Sequence, residues 1–437
     1  MIKKIHRSAC NYCYWYNILL FFDSAKHNVM KKLLLGSFCF IYSMSGFAQH
    51  ALTPNILDMR KRATVIDDWL DEKIDTVLPG LMERAGIDMW LIIAREYNED
   101  PVIKTMLPAT WQSARRTTML IVFNPGDGEP LETMAMARYN VGKKFVKVWD
   151  KEAQPDQWQA LADLIAEKKP QKIGINKSTD YALADGISST HYDMLMEYLP
   201  SKFQNRVVGA EKLAVGWLET RTASEMLVYP QIVRIAHQII TEGFSDHVVQ
   251  PGVKTTDDVV WWYRDRIREL GFTAWFHPSV AVQRSDKESF DHLRSFSDRP
   301  ENQVILPGDL LHVDFGITYL RLNTDTQQHA YVLKPGEKEA PDYLKNGLAK
   351  ANQLQDIFTN NFKTGRTGNE ILSKSLEEAK AAGLQPTIYT HPIGYHGHAA
   401  GPTIGLWDQQ GGVPGRGDYP LYPNTAHSIE LNLSLIH

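Results

Sequence analysis

Cysteine is nearly absent: the chain has three in 437 residues, Cys10, Cys13 and Cys39, all ahead of residue 49. The remainder therefore has no thiol for a disulfide framework or a cysteine zinc site, and Cys10 with Cys13 alone makes a poor one. No glycine-rich phosphate loop follows any predicted strand, so a nucleotide site is unsupported. A basic excess is missing too, since 47 Lys and Arg face 51 Asp and Glu for a net charge of −4. That balance argues against nucleic acid and anionic membrane as partners.

The first 48 residues do not read as part of a fold. Met30-Lys-Lys precedes an apolar stretch, Leu33 to Met44, and then Gly46-Phe47-Ala48. A basic start, a short apolar centre and a small-x-small site are the pattern of a secretory signal peptide. The apolar centre is too short for a comfortable membrane span. We expect residues 1–29 to be upstream sequence and 30–48 a leader. The expected product is a soluble exported protein, periplasmic or secreted, starting at Gln49, with no membrane partner once the leader is gone. Without the leader's six Lys and Arg and its one Asp, 41 basic residues face 50 acidic, a net charge of −9.

Residues 49–215 alternate helical and strand patterns. Apolar spacing predicts a helix from Arg60 to Met82, then a buried strand from Asp88 to Ala94. Further strands are predicted at Thr117 to Phe123, Met134 to Tyr139, Phe145 to Trp149 and Lys172 to Asn176, with a helix at Gln157 to Lys168. This order fits a mixed sheet in an α/β domain. A boundary is expected near Glu211 to Thr220. After it, Thr222-Ala-Ser-Glu225 is a capping box, and the helix it starts tolerates Pro230 only in or near its first turn.

Residues 216–437 repeat themselves. Gly252 leads into a helix (Val259 to Leu270), then Gly271 and a segment ending in His277-Pro278. Gly365 leads into another (Ile371 to Ala382), then Gly383 and a segment ending in His391-Pro392. Two such units predict two halves related by a pseudo-twofold axis. Asp314 sits in the strand-like run Leu310 to Gly316 and Asp325 follows eleven residues later, so the two carboxylates can meet across an antiparallel hairpin. Together with His391 and Glu430 they offer three carboxylates and one imidazole, an oxygen-rich donor set for a divalent ion. Taken singly, an Asp at a strand end is ordinarily a turn former and a His-Pro a loop. The order and spacing of the set carry the argument.

With these residues the chain resembles the pita-bread metallopeptidases, which include methionine aminopeptidase, aminopeptidase P, prolidase and the metal-free creatinase. The resemblance is close from about residue 219 onward and loose before it. It implies a mixed α/β (α+β) chain, a creatinase-like N-terminal domain followed by a pita-bread catalytic domain. It also implies two divalent ions, manganese first, with cobalt, zinc and iron as alternatives. Asp314, Asp325, His391 and Glu430 would be the metal ligands, with Asp325 bridging. Glu430 would also move the proton, and His398, seven after His391, would face the substrate. The family's earlier histidine has two candidates, His277 and His292. His396 and His427 are expected to support the ligands or to be solvated, and His312 shares the strand face of Asp314.

The implied activity is hydrolysis of Xaa-Pro peptides of the aminopeptidase P or prolidase type, in a homodimer. In such relatives the N-terminal domain helps cover a neighbouring subunit's site; Arg95-Glu96-Tyr97 is where that contribution would come from, with a solvated loop as the plainer reading. There are departures: Gln328 stands where family peptidases commonly have Arg, and Leu-Asn follows Glu430 in place of Pro-Gly. A fifth ligand, a bridging Glu, is expected on a strand beyond His437, so the sequence is expected to be cut short. Two alternatives follow, a scaffold that has lost catalysis and a creatinase-like C–N hydrolase.

Overall fold

The computed structural model describes residues 2–4 (backbone alone), 55–126, 128–284 and 302–433. The expected leader at 30–48, His292 and the chain end at 434–437 lie outside the described residues. In chain order the elements begin with β1 (Ile2–Lys4), α1 (Met59–Thr76), α2 (Leu78–Ala85), β2 (Met89–Arg95), α3 (Pro101–Met106), β3 (Thr117–Phe123), β4 (Glu132–Met136) and β5 (Val146–Lys147). There follow α4 (Gln157–Lys168), β6 (Ile173–Ile175), α5 (Ser189–Tyr198), α6 (Ser201–Gln204), β7 (Val207–Gly209) and α7 (Glu211–Glu219). The second part has α8 (Ala223–Gly243), α9 (Thr256–Glu269), β8 (Ser279–Gln283), β9 (Leu310–Phe315), β10 (Thr318–Tyr319), β11 (Leu322–Asn323) and β12 (Thr326–Val332). It ends with α10 (Asp342–Asn360), α11 (Gly368–Ala381), β13 (Pro386–Ile393) and β14 (Ala426–Leu433).

The first part is a mixed sheet, β5-β4-β3-β2-β6-β7, antiparallel across β2–β3–β4 and parallel at β4–β5 and β2–β6–β7. Successive side chains of a strand point to opposite faces, so β2 feeds two cores. Trp90, Ile92 and Ala94 pack with α1, α2, α3 and α7, while Met89, Leu91 and Ile93 pack with α4, α5 and α6. The first of these cores reaches into the second part of the chain, for it also holds Ala400 and Tyr419.

Three expectations need correction. The helix predicted from Arg60 to Met82 is broken at Val77, because Pro79 has no N–H to continue the ladder and instead sits in the first turn of α2. The segment expected to be a boundary is α7, and Leu213 to Glu219 are all buried. Pro230 lies well inside α8; it is solvent-exposed, so the carbonyl that loses its donor can face water.

The second part repeats as expected. Thr255 and Thr367 cap α9 and α11 in matching capping boxes with Asp258 and Glu370, each worth about 1 kcal/mol. Gly271 (φ 69°) and Gly383 (φ 75°) close the two helices in the left-handed region that glycine enters at no steric cost. The first half packs α8 and α9 on the sheet β1-β12-β9-β8; the second packs α10 and α11 on the β13–β14 ladder.

Helices α8 and α9 cross closely at Gly243. A Cβ there would come within 2.3 Å of the Tyr263 ring, whose hydroxyl donates to the Ile240 carbonyl at 3.0 Å. Gly243→Ala is therefore expected to destabilise by about 1–3 kcal/mol. It should lower the urea midpoint at unchanged slope, and an unshifted midpoint would show that the crossing can relax.

Candidate metal centre

Each half places two of the expected ligands on the sheet face turned away from its helices. On β9, Leu311, Val313 and Phe315 enter the core, so the alternation leaves His312 and Asp314 on the other face. Asp314 pairs with Gln327 of β12, and Asp325 stands immediately before that strand, two residues from Gln327 and on the same face. The carboxylates are thus diagonal neighbours, as the hairpin expectation had it, with the small β10–β11 hairpin inserted at the tip. On the β13–β14 ladder His391 pairs with Ser428, and Glu430 with Tyr389. His391 and Glu430 are therefore also diagonal, opposite the face on which Ile388 and Ile429 meet the helices.

The two faces converge on the His391 imidazole. Its Nε2 lies 2.7 Å from Glu430 Oε1 and 3.4 Å from Asp325 Oδ2, and its Nδ1 is 2.9 Å from the Pro392 carbonyl. His391 and Glu430 are buried, as is the Asp325 side chain. Burial alone would disfavour the imidazolium, yet the hydrogen bonds it donates to Asp325 and Glu430 carry its pKa up to about 10. Asp325 Oδ1 is buried with no hydrogen-bond partner. Carboxylate oxygens gathered around one nitrogen, one of them unspent, suit a cation. Among the described residues, donor atoms of His391, His398 and Glu430 also lie within 4.8 Å of one another.

His398 is solvent-exposed at the rim, its ring 4.6 Å from that of His391 and 5.2 Å from that of Trp275. Partial desolvation of the ring against its neighbours, followed by the charge of His391, lowers its pKa, so the neutral ring is the favoured form. Sequence reasoning missed Trp275. Its indole donates to the Thr324 carbonyl at 2.8 Å, beside Asp325, and a Cβ on Gly397 would strike its ring at 2.2 Å. A tryptophan in a loop carries no signal of this in the sequence.

The remaining candidates go elsewhere. His277 is exposed, its ring against Trp261 (5.3 Å) and its Nδ1 3.2 Å from Arg264. His312 lies opposite His329 and 3.0 Å from Gln327 Oε1, one step along the strand face from Asp314. His427 is on the helix side of β14, against Phe362 at 5.2 Å. His396 sits in the turn after β13, where its carbonyl accepts from Gly394 N. Arg95-Glu96-Tyr97 ends β2 as an exposed turn, with Tyr97 in the left-handed region at φ 67°.

Because the folded pKa of His391 is raised from 6.5 to about 10, its contribution to metal-free stability is full below pH 6.5 and lost as pH rises through about 10. The urea midpoint of the metal-free protein should fall over that window. Glu430→Gln should flatten the fall, so that the difference between the two curves isolates this group; identical slopes would show that the imidazole is neutral.

Residues 231–436 match the model of metallopeptidase family M24. No protein of curated function matches the chain by sequence. Among solved structures the chain is similar to an X-Pro aminopeptidase from Thermotoga maritima, with 18% identity, TM-score 0.56, and 80% of this chain and 90% of that chain covered. It is similar to an Xaa-Pro dipeptidase from Bacillus anthracis, with 19% identity, TM-score 0.52, and 86% and 90% covered. It is also similar to aminopeptidase P from Escherichia coli, with 12% identity, TM-score 0.53, and 86% of each chain covered. These likenesses establish the fold, an N-terminal α/β sheet region followed by a pita-bread domain.

Proposed function

We propose that this chain, whose residues 231–436 belong to metallopeptidase family M24, is a dinuclear peptidase that hydrolyses Xaa-Pro bonds in the manner of an aminopeptidase P or a prolidase. The observation that carries the reading is the convergence of Asp325, His391 and Glu430 from two separate sheets, with His398 at the rim. Asp314, Asp325, His391 and Glu430 would hold the ions, manganese by preference for an oxygen-rich set. Divalent ions there would supply Lewis acidity and make water a nucleophile at neutral pH.

The chain's own groups do the rest. Glu430, which lies 2.7 Å from His391, would take a proton from the attacking water and deliver it to the leaving amine. His398, neutral and exposed, can donate from its ring nitrogen to the carbonyl oxygen as negative charge develops there. Trp275 stands beside His398 at the rim, its ring 5.2 Å away. We further take the protein to be exported and to act as a homodimer on proline-containing peptides.

The reading is tested with manganese-loaded protein and short Xaa-Pro peptides. Hydrolysis is expected, with Asp325→Ala abolishing it and His398→Ala lowering kcat about 10²- to 10³-fold with manganese binding retained. Two tightly bound ions and no cleavage of any proline peptide would sink the reading. Creatine turnover without metal would favour the creatinase-like alternative instead.

A further inference from the structure

The turn that joins His391 to His398 is gripped from the N-terminal side of the molecule. Tyr395, midway along it, has the Arg221 guanidinium 4.3 Å and the Lys73 Nζ 4.4 Å from its ring centroid, and its hydroxyl bonds to Glu225. Arg221 is 1% exposed and Lys73 fully buried. Two basic groups buried side by side repel, and the pair is only partly compensated, since Arg221 Nη1 and Glu225 Oε1 are buried without a hydrogen-bond partner and meet only as an ion pair. Arg221 donates to the Leu218 and Glu219 carbonyls and lies 3.5 Å from Glu225; Lys73 donates to the Thr220 carbonyl at 2.6 Å. Gly394, one residue before Tyr395, is closely approached, since a Cβ would come within 3.0 Å of the Arg221 guanidinium.

On its other flank the same turn is pressed at Gly397 against Trp275, which is anchored beside Asp325. Between the two grips the turn has little freedom, and His398 follows Gly397 directly. We propose that Tyr395, held by Arg221 and by Lys73 from α1, is a positioning residue that sets where His398 stands over the substrate, so that the N-terminal region acts on catalysis within its own chain. Its effect runs through His398, three residues on. The inference rests on the peptidase reading, so its test has one arm that needs no activity.

That arm is the NMR signal of the His398 ring in the metal-free protein. Tyr395→Leu is expected to move it and to leave that of exposed His247 in place; an unmoved His398 signal overturns the proposal. In the kinetic arm, with manganese and an Xaa-Pro peptide, Tyr395→Leu should lower kcat about tenfold to a hundredfold. KM and manganese affinity should change little. On a His398→Ala background the same change should add nothing, because the residue acts through that ring; an equal loss on both backgrounds overturns it. Tyr395→Phe, which keeps the ring, should restore most of kcat. If Tyr395→Leu does not fold, Lys73→Met read by both arms decides in the same way. Wild-type protein that binds manganese but splits no peptide ends the peptidase reading, and the NMR arm alone then judges the positioning claim.

Discussion

The carbonyl of Gly394 accepts two hydrogen bonds from Asn323, one from its backbone N–H at 2.8 Å and one from its side-chain amide at 3.0 Å. This is the joint on which the site depends. Asn323 closes the strand two residues before Asp325, and Gly394 follows the strand that carries His391, so the pair fastens together two sheets that share no ladder. Without it, carboxylates brought from separate sheets would be free to separate by their own repulsion. Asn323 is itself completely engaged, its carbonyl taking the Tyr229 hydroxyl at 2.6 Å and its Oδ1 the Thr318 hydroxyl at 2.5 Å. A buried network with every member satisfied is rigid, and rigidity is what a metal centre asks of its supports.

Much of this was legible in the sequence, for identifiable reasons. The Thr caps and the left-handed glycines around α9 and α11 act over a few residues, so local chemistry determines them. The diagonal pairing of Asp314 with Asp325 follows from strand alternation once a hairpin is assumed. The break at Val77 was hidden because apolar spacing continues through Pro79. Helix α7 was hidden because a short segment buried all round has no polar face by which to recognise it. Nothing local marks Lys73 or Arg221, since a buried cation looks in sequence like any exposed one. The partner of Lys73 lies far along the chain, Thr220 being 147 residues away.

The same network explains how two parts with separate sheets behave as one body. Glu219 at the end of α7 accepts from the Tyr419 hydroxyl at 3.0 Å and stands 4.0 Å from Arg84. Burial pushes its pKa up to about 8, so it is held toward the neutral form and the cost of a buried anion is avoided. Tyr181 donates to the Gly401 carbonyl at 3.2 Å and meets Tyr419 edge-on. Apolar packing and hydrogen bonding thus cross the boundary together.

The core beneath β2 that takes in Ala400 and Tyr419 bears on the order of events at the ribosome. The helices α1, α2, α3 and α7 that cover this face are made together with the sheet, but Tyr419, which completes the core, is encoded 200 residues after Glu219. At ordinary elongation rates that side chain arrives roughly 10 to 40 s later. Throughout that interval the nascent core lacks its last apolar contacts and the Glu219 carboxyl lacks the Tyr419 hydroxyl.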